Sequence, residues 1–467
     1  MKYRVKEIEL PEGDIYQHDA LNRRPVVEFI ENFLVGLDGP FVLALDSPWG
    51  TGKTTAIRML KSTLTAKQIP CVYFNAWKVD YVSDPLVALV SALDELRPKD
   101  PAAGERFKSH MASIKKLTTS VAKHGAVAAV KAATFGALEL ESAVEKVAAD
   151  LAGDLTKDLV ASFQKERASL ENLRTELEKA IAELSKDAEA RPLVFFVDEL
   201  DRCRPSFAIE MLERIKHLFD VDHLVFVLSV DKKQLEAATG AVYGEKIEAS
   251  EYLRRFFDME LRLPQPDSKR FANALVRRFG LDEYFGERKK NHQTQHDGDH
   301  LVQTIGELSD VFRLSLRVIE RAMARVALVC SQTPANQFLD PILVAFLVVL
   351  RIKNIELFDE IVAGHASSDQ VMAYIRNLPG GGAFSQSRLG IIVETYLVAG
   401  DSDAQRKNTT VNNLKAAAEA AVETPETSRA REIVQAMDYI PPNSFYRYHF
   451  SVSSVANKVE MASSLNS

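Results

Sequence analysis

The chain has 467 residues, 46 % hydrophobic and 26 % charged, and its 58 basic and 65 acidic side chains leave a formal net charge of −7. That apolar content rules out a wholly disordered protein, and the acidic balance argues against a generally polycationic nucleic-acid coat while leaving room for a local basic face. Cys71, Cys203 and Cys330 form no CxxC pair, which argues against a disulfide framework or structural zinc and fits a reducing cytoplasm. At about 150 residues per domain the length allows roughly three domains.

The opening MKYRVKEIELPEGD has no apolar core of a secretory signal. An amphipathic helix is expected from about Arg24 to Leu37, then a buried strand at Phe41–Asp46, a glycine-containing loop at Ser47–Thr55 and a helix over Ala56–Lys67. A second strand, Cys71–Asn75, ends in Ala76-Trp77. Asp84 to Glu189 reads as almost entirely helical, and its Glu- and Lys-rich part, Gln164–Lys186, suits an exposed hairpin or short coiled coil. Two further buried strands, Leu193–Val197 and Leu224–Val230, flank a helix around Ala208–Phe219. Strands alternating with helices predict a parallel sheet covered on both faces. Beyond Pro264 the chain reads as mainly helical from Ser268 to about Ile440, with a polar loop at Asn291–His300 and a break at Leu378–Gly382. The most apolar stretches, Val121–Leu140 and Phe338–Leu350, carry too many charged or helix-breaking residues for the roughly 20 apolar positions of a membrane span. A soluble, cytoplasmic protein is expected.

Strand, loop and helix with Gly52-Lys53-Thr54 carry the chemistry of a P-loop. Loop and helix N–H groups present unpaired donors and partial positive charge to a polyphosphate. Trp49, Gly50, Thr51 and Gly52 would line the phosphates, Lys53 would neutralise the β- and γ-phosphates, the Thr54 hydroxyl would ligate Mg²⁺, and Thr55 would meet the α-phosphate of ATP. The general pattern asks for glycine at position 47, where this chain has Ser47; Gly50 and Gly52 still permit the tight turns. The apolar run Leu193–Val197 delivers Asp198 and Glu199 at its end, the Walker B arrangement. Asp198 would hold Mg²⁺ through water and Glu199 would polarise the attacking water. Asp201 and Arg202 either pair structurally or sit at a subunit boundary. Ser229 and Asp231 end the strand Leu224–Val230; either one senses the γ-phosphate or caps the next helix.

Four segments resemble the KAP family of P-loop NTPases: Ser47-Pro-Trp49-Gly-Thr-Gly-Lys-Thr, Phe74-Asn-Ala-Trp77, Asp198-Glu-Leu-Asp-Arg-Cys-Arg-Pro205, and Tyr252-Leu-Arg-Arg-Phe-Phe-Asp258 leading to Leu263-Pro264. They span about Asp19 to Arg321. The resemblance implies an α/β fold: an additional-strand P-loop NTPase core with a parallel sheet covered by helices, a helical insertion and a mainly helical C-terminal domain. The implied organisation is 1–83 and 191–266 for the core, 84–190 for the insertion, 267–330 for a helical lid and 331–467 for a C-terminal helical region. Many members carry transmembrane helices in the insertion; here its charges predict a soluble version, with Gly125–Leu140 available to a membrane surface or a partner helix. By the same resemblance Arg254 or Arg255 would contact a neighbouring subunit's nucleotide in a homo-oligomer, and Arg317 would be a sensor-2 arginine; each also fits an ordinary surface ion pair.

The resemblance implies an ATPase that couples Mg-ATP binding and hydrolysis to assembly or switching of a complex. Bacterial members resemble phage-exclusion components that work with a separate effector, so anti-phage defence is the expected setting. A nucleotide-binding scaffold at a membrane face is an alternative, predicting binding without turnover. A nucleic-acid-dependent ATPase is another, since Arg270, Arg277, Arg278, Arg288, Lys289 and Lys290 make one region locally basic. His292, His296 and His300 are read as solvated histidines or, less simply, a divalent-metal site.

Overall fold

The computed structural model describes residues 15–17, 19–37, 39–98, 100–132, 154–184, 191–337, 339–439 and 451–464. These residues fall into two compact units, Arg23–Pro264 with the described residues up to Asp19, and the chain from Gln265 onward with Ala20–Asn22.

In the first unit, α1 (Arg24–Val35) precedes β1 (Phe41–Asp46), followed by α2 (Lys53–Ala66), β2 (Cys71–Asn75), α3 (Pro85–Leu93), α4 (Pro101–Ala132) and α5 (Asp154–Ala182). Then come β3 (Leu193–Asp198), α6 (Pro205–Leu218), β4 (Leu224–Val230), α7 (Lys232–Tyr243), α8 (Ala249–Arg254) and β5 (Met259–Arg262). The strands form one parallel sheet in the order β2-β3-β4-β1-β5. β4 therefore separates the strand that feeds the loop from the strand that ends in Asp198.

Both faces are buried, yet side chains still alternate, as the two-residue period of a strand requires. Leu43, Leu45, Val194, Phe196, Val225 and Val227 pack with Val27, Ile30, Ile57 and Leu60 of α1 and α2. Val42, Ala44, Phe195, Val197, Phe226 and Leu228 pack on the other face against residues of α3 to α6. β5 carries no continuous apolar run: Met259, Glu260 and Arg262 are exposed, and a charged edge strand of this kind is hard to see in sequence. The expected start of α2 at Ala56 is three residues late, because Gly52, at φ 90°, lets the helix begin at Lys53.

In the insertion, α4 and α5 run antiparallel, as Arg106–Glu183 and His110–Glu176 contacts of 2.7 and 2.9 Å require. Phe107, Met111, Ile114, Leu173, Leu177 and Ile181 join the sheet's core, so this end of the hairpin is packed rather than exposed. Residues 133–140 of the Ala-rich stretch lie outside the described residues. Among the described residues no helix is long and apolar enough to cross a membrane.

The second unit holds α9 (Ser268–Arg278), α10 (Leu281–Arg288), α11 (Asp297–Val311), α12 (Leu316–Ser331), α13 (Pro341–Lys353), α14 (Ile355–Val362), α15 (Ser368–Arg376), α16 (Gly381–Gln386), α17 (Arg388–Ala399), α18 (Ala404–Ala418), α19 (Pro425–Tyr439) and α20 (Val452–Ser464). Ile342 to Leu350 are all buried, so α13, apolar all round, is a central core helix. The polar segment expected as a loop through His300 becomes helical at Asp297. There the buried carboxylate meets Arg288 Nε at 2.6 Å and two acidic residues occupy the helix's first turn.

Candidate functional site

The loop between β1 and α2 is tied down at its start, where the Ser47 N–H donates to the Val230 carbonyl at 3.0 Å. Gly50 and Gly52 adopt φ 76° and 90°, a left-handed backbone that favours glycine. Ser47 is not in that region, so its side chain costs no backbone strain. Its buried hydroxyl hydrogen-bonds Thr51 Oγ1 at 2.6 Å, and Thr51 Oγ1 also reaches the Pro48 carbonyl at 2.8 Å. A serine bridge thus braces the turn where the general pattern has glycine. Lys53, Thr54 and Thr55 form the first turn of α2, where N–H groups lack intrahelical partners and the helix end is partly positive.

Lys53 Nζ lies 2.5 Å from the Ser47 carbonyl and 3.8 Å from Asp201 Oδ2. Burial pushes its pKa below the ordinary lysine value, opposed by Asp201, Asp231, Asp198 and Asp46. The Asp201 carboxyl is pushed upward by burial, opposed by Lys53 and by the Trp49 indole N–H that donates to it.

The parallel register sets Asp198 opposite Asn75 on one side and Ser229 on the other. Asp198 is 1 % exposed; its Oδ1 accepts the Glu199 N–H and its Oδ2 the Tyr73 hydroxyl, both at 2.9 Å. Glu199 sits at φ 61°, an uncommon conformation for a side-chain-bearing residue and one that gathers at functional sites. Arg202 Nη1 donates to its Oε1 at 2.6 Å and Asn75 Nδ2 to its Oε2 at 3.0 Å. The Ser229 hydroxyl is fully buried and has no hydrogen-bond partner among the described residues. Asp231 does not cap α7; its Oδ2 accepts the Trp49 N–H at 3.2 Å, and Asp46 Oδ1 takes the Lys232 N–H at 3.0 Å instead.

Lys53, Asp198, Glu199, Asp201, Ser229 and Asp231 therefore gather at the carboxyl ends of adjacent parallel strands, where α/β sheets bind ligands. Arg254 and Arg255 are exposed on and just after α8, and Arg254 pairs with Glu251 at 2.6 Å. Arg317 is exposed on α12 of the second unit. Sequence reading missed Tyr73, and it took Asp19–Arg23 only as a stretch resembling an adenine-pocket lining, without the brace that Arg23 makes. Arg23 is 1 % exposed, its Nη1 donating to the Pro264 carbonyl at 2.6 Å and its Nη2 to the Thr51 carbonyl at 2.7 Å.

The basic run after the core is not one phosphate-binding face. Arg288 is 1 % exposed and spends its donors on Asp297 and on the carbonyls of Ala335, Gln337 and Leu339. Arg278 is partly buried, whereas Arg270, Arg277, Lys289 and Lys290 remain exposed. His292, His296 and His300 are exposed, and no cluster of three or more His, Cys, Asp or Glu side chains placed to hold a metal ion occurs among the described residues.

Among solved structures the chain is similar to the Aeropyrum pernix ORC2 protein in its ADPNP–ADP complexes, at 13 % identity over 98 % of this chain and 97 % of that one, with a TM-score of 0.32. Drosophila ORC bound to GC-rich DNA and Cdc6 matches at 13 % identity over 96 % of this chain and 62 % of that chain, with a TM-score of 0.29. Overlaps this loose carry no argument about function. No curated protein matches the chain. The KAP family P-loop domain matches residues 23–331, more than half of the chain and all of the site just described, and the protein belongs to that family of P-loop NTPases.

Proposed function

We propose that the protein binds Mg-ATP over the loop and the strand tips, hydrolyses it, and uses the cycle to assemble or switch a complex. The observation carrying this reading is the gathering of Lys53, Asp198 and Glu199 at one end of the sheet, around a Ser229 hydroxyl that is buried with no hydrogen-bond partner among the described residues. Such an orphaned hydroxyl suits a phosphate oxygen, and the Thr54 hydroxyl with the Asp198 carboxylate is the oxygen donor set that Mg²⁺ prefers. Bound there, Mg²⁺ would supply charge neutralisation to the phosphates. The chain's own groups do the rest. The N–H groups from Gly50 to Thr55 orient the phosphates. Lys53 leaves the Ser47 carbonyl and Asp201 for phosphate oxygens, Ser229 hydrogen-bonds the terminal phosphate, and Glu199 orients water and takes its proton.

Arg254 or Arg255 of a neighbouring subunit, and Arg317, stabilise developing charge in a homo-oligomer. The setting we infer is the cytoplasm, in bacterial anti-phage defence with a separate effector; the family resemblance supports this. ATP turnover, nucleotide binding and particle mass with and without nucleotide test the reading in wild type, Lys53→Ala and Glu199→Gln. Equal turnover in all three would overturn it.

A further inference from the structure

Glu199 is held from two directions by side chains that share one anchor. Residues 76–79 form a single 3₁₀ turn after β2, capped by Asn75, whose Oδ1 accepts the Lys78 N–H at 3.1 Å. That bond fixes the amide orientation and leaves Nδ2 to donate to Glu199 Oε2 at 3.0 Å. The same turn carries Trp77, and the Arg202 guanidinium lies 5.7 Å from the centroid of its ring. Arg202 in turn donates to Glu199 Oε1 at 2.6 Å. It reaches back because Leu200–Arg202 is also 3₁₀, closed by Arg202 N–H to the Glu199 carbonyl at 3.2 Å, and residues three apart eclipse in such a turn. Trp77 is 52 % exposed, an unusual cost for a large indole, and the Arg202 cation packs over its ring.

We propose that Trp77 and Arg202 are a positioning pair for Glu199, so that the exposed 76–79 turn sets how the carboxylate meets the attacking water. The proposal rests on the reading of Glu199 as the group that activates water. It assigns no contact with nucleotide to either residue: Trp77 aligns the guanidinium, and the guanidinium aligns the carboxylate. A pair of this kind changes turnover without changing nucleotide affinity. Arg202→Lys does not replace arginine, because a compact ammonium cannot lie flat on the ring and reach Glu199 Oε1 together.

The chain has two tryptophans, Trp49 and Trp77, so Trp49→Phe leaves Trp77 as the sole indole reporter. In that background and without nucleotide, Glu199→Gln is expected to alter Trp77 emission through the arginine; identical spectra would overturn the linkage. In otherwise wild-type protein, Trp77→Ala is expected to lower kcat about three- to tenfold and Arg202→Ala about thirtyfold. KM for ATP stays within about twofold, and Trp77→Phe restores most of the rate. A structural role alone would move the urea midpoint, and kcat in step with it. Unchanged kcat in Trp77→Ala and Arg202→Ala beside an active wild type would overturn this inference alone. A wild type that binds ATP without turning it over would overturn the hydrolysis reading, and this inference with it.

Discussion

Replacing Arg23 isolates the part of the nucleotide loop that its own motif does not specify. The guanidinium bonds the Thr51 carbonyl in the loop and the Pro264 carbonyl just after β5, at 2.7 and 2.6 Å, with 1 % of the residue exposed. Arg23→Met removes both donors, and each carbonyl left buried costs about 1–3 kcal/mol. The opposing term is real: burial pulls the guanidinium pKa below its ordinary value and its Nε is buried without a partner, so the wild type already carries a desolvation burden of similar size to one lost bond. The net loss is about 1–3 kcal/mol. Since 1.4 kcal/mol is a factor of ten in an equilibrium constant, if roughly half of the loss falls on loop geometry, ATP affinity weakens about three- to tenfold.

The assay is urea unfolding followed by tryptophan fluorescence, together with titration of a fluorescent ATP analogue. Both tryptophans belong to the Arg23–Pro264 unit, so the signal reports that unit even when the whole chain does not unfold in one step. Arg23→Lys keeps the charge but reaches one carbonyl at a time and is expected to fall between. Wild-type affinity and midpoint in Arg23→Met would refute the reasoning, because the two carbonyls would then have lost nothing.

Lys53→Ala is expected to lose ATP binding by at least a hundredfold, whereas Glu199→Gln binds normally and slows turnover by a hundredfold or more; a radiolabelled filter-binding and phosphate-release pair separates them. Burial pushes the thiols of Cys71, Cys203 and Cys330 up to about 12. Thiolates then form later in the folded chain than in the unfolded one, so an aromatic disulfide reagent at pH 8 should label none quickly before denaturation and all three after it; the same shifts withdraw stability as the pH rises past 9. Arg288→Met strands the buried Asp297 carboxylate and several carbonyls and should cost about 3–5 kcal/mol, seen as a lower-melting transition. Ser229→Ala removes a buried hydroxyl that has no hydrogen-bond partner among the described residues, so stability should hold or rise by about 1 kcal/mol while phosphate release slows at least tenfold.

β1, β2, β3 and β4 were legible because each is a short apolar run bounded by polar or turn residues, and the loop because its spacing is tied to phosphate chemistry. β5 was not: its stability comes from pairing with β1 along Leu43–Asp46, a long-range contact that leaves no local pattern in Met259–Arg262. Two arginines share a hidden role. Arg288 reads as part of a basic solvated face and Arg23 as part of a pocket-lining stretch, yet each is drawn inside to satisfy backbone carbonyls that converge only after folding. Tyr73 alternates correctly with buried strand neighbours, and only the register of β2 on β3 reveals that its hydroxyl meets Asp198.

The strand order gives the site its logic. Adjacent strands lie about 4.8 Å apart, so inserting β4 between β1 and β3 opens roughly 10 Å between the strand tips that lead to Lys53 and end in Asp198. Without that strand the two side chains would meet, and a lysine neutralised by the carboxylate proposed to hold Mg²⁺ would have little pull on a phosphate. With it, Lys53 leans on Asp201 and the Ser47 carbonyl, while Asp198 is held by Tyr73. On the proposed reading a magnesium polyphosphate spans this gap and crosses the tip of β4, which lies between β1 and β3. Ser229 stands there, in register with Asp198, its hydroxyl buried and unmet. On the proposed reading a phosphate oxygen meets this buried hydroxyl, so removing it should leave the fold intact and slow the reaction.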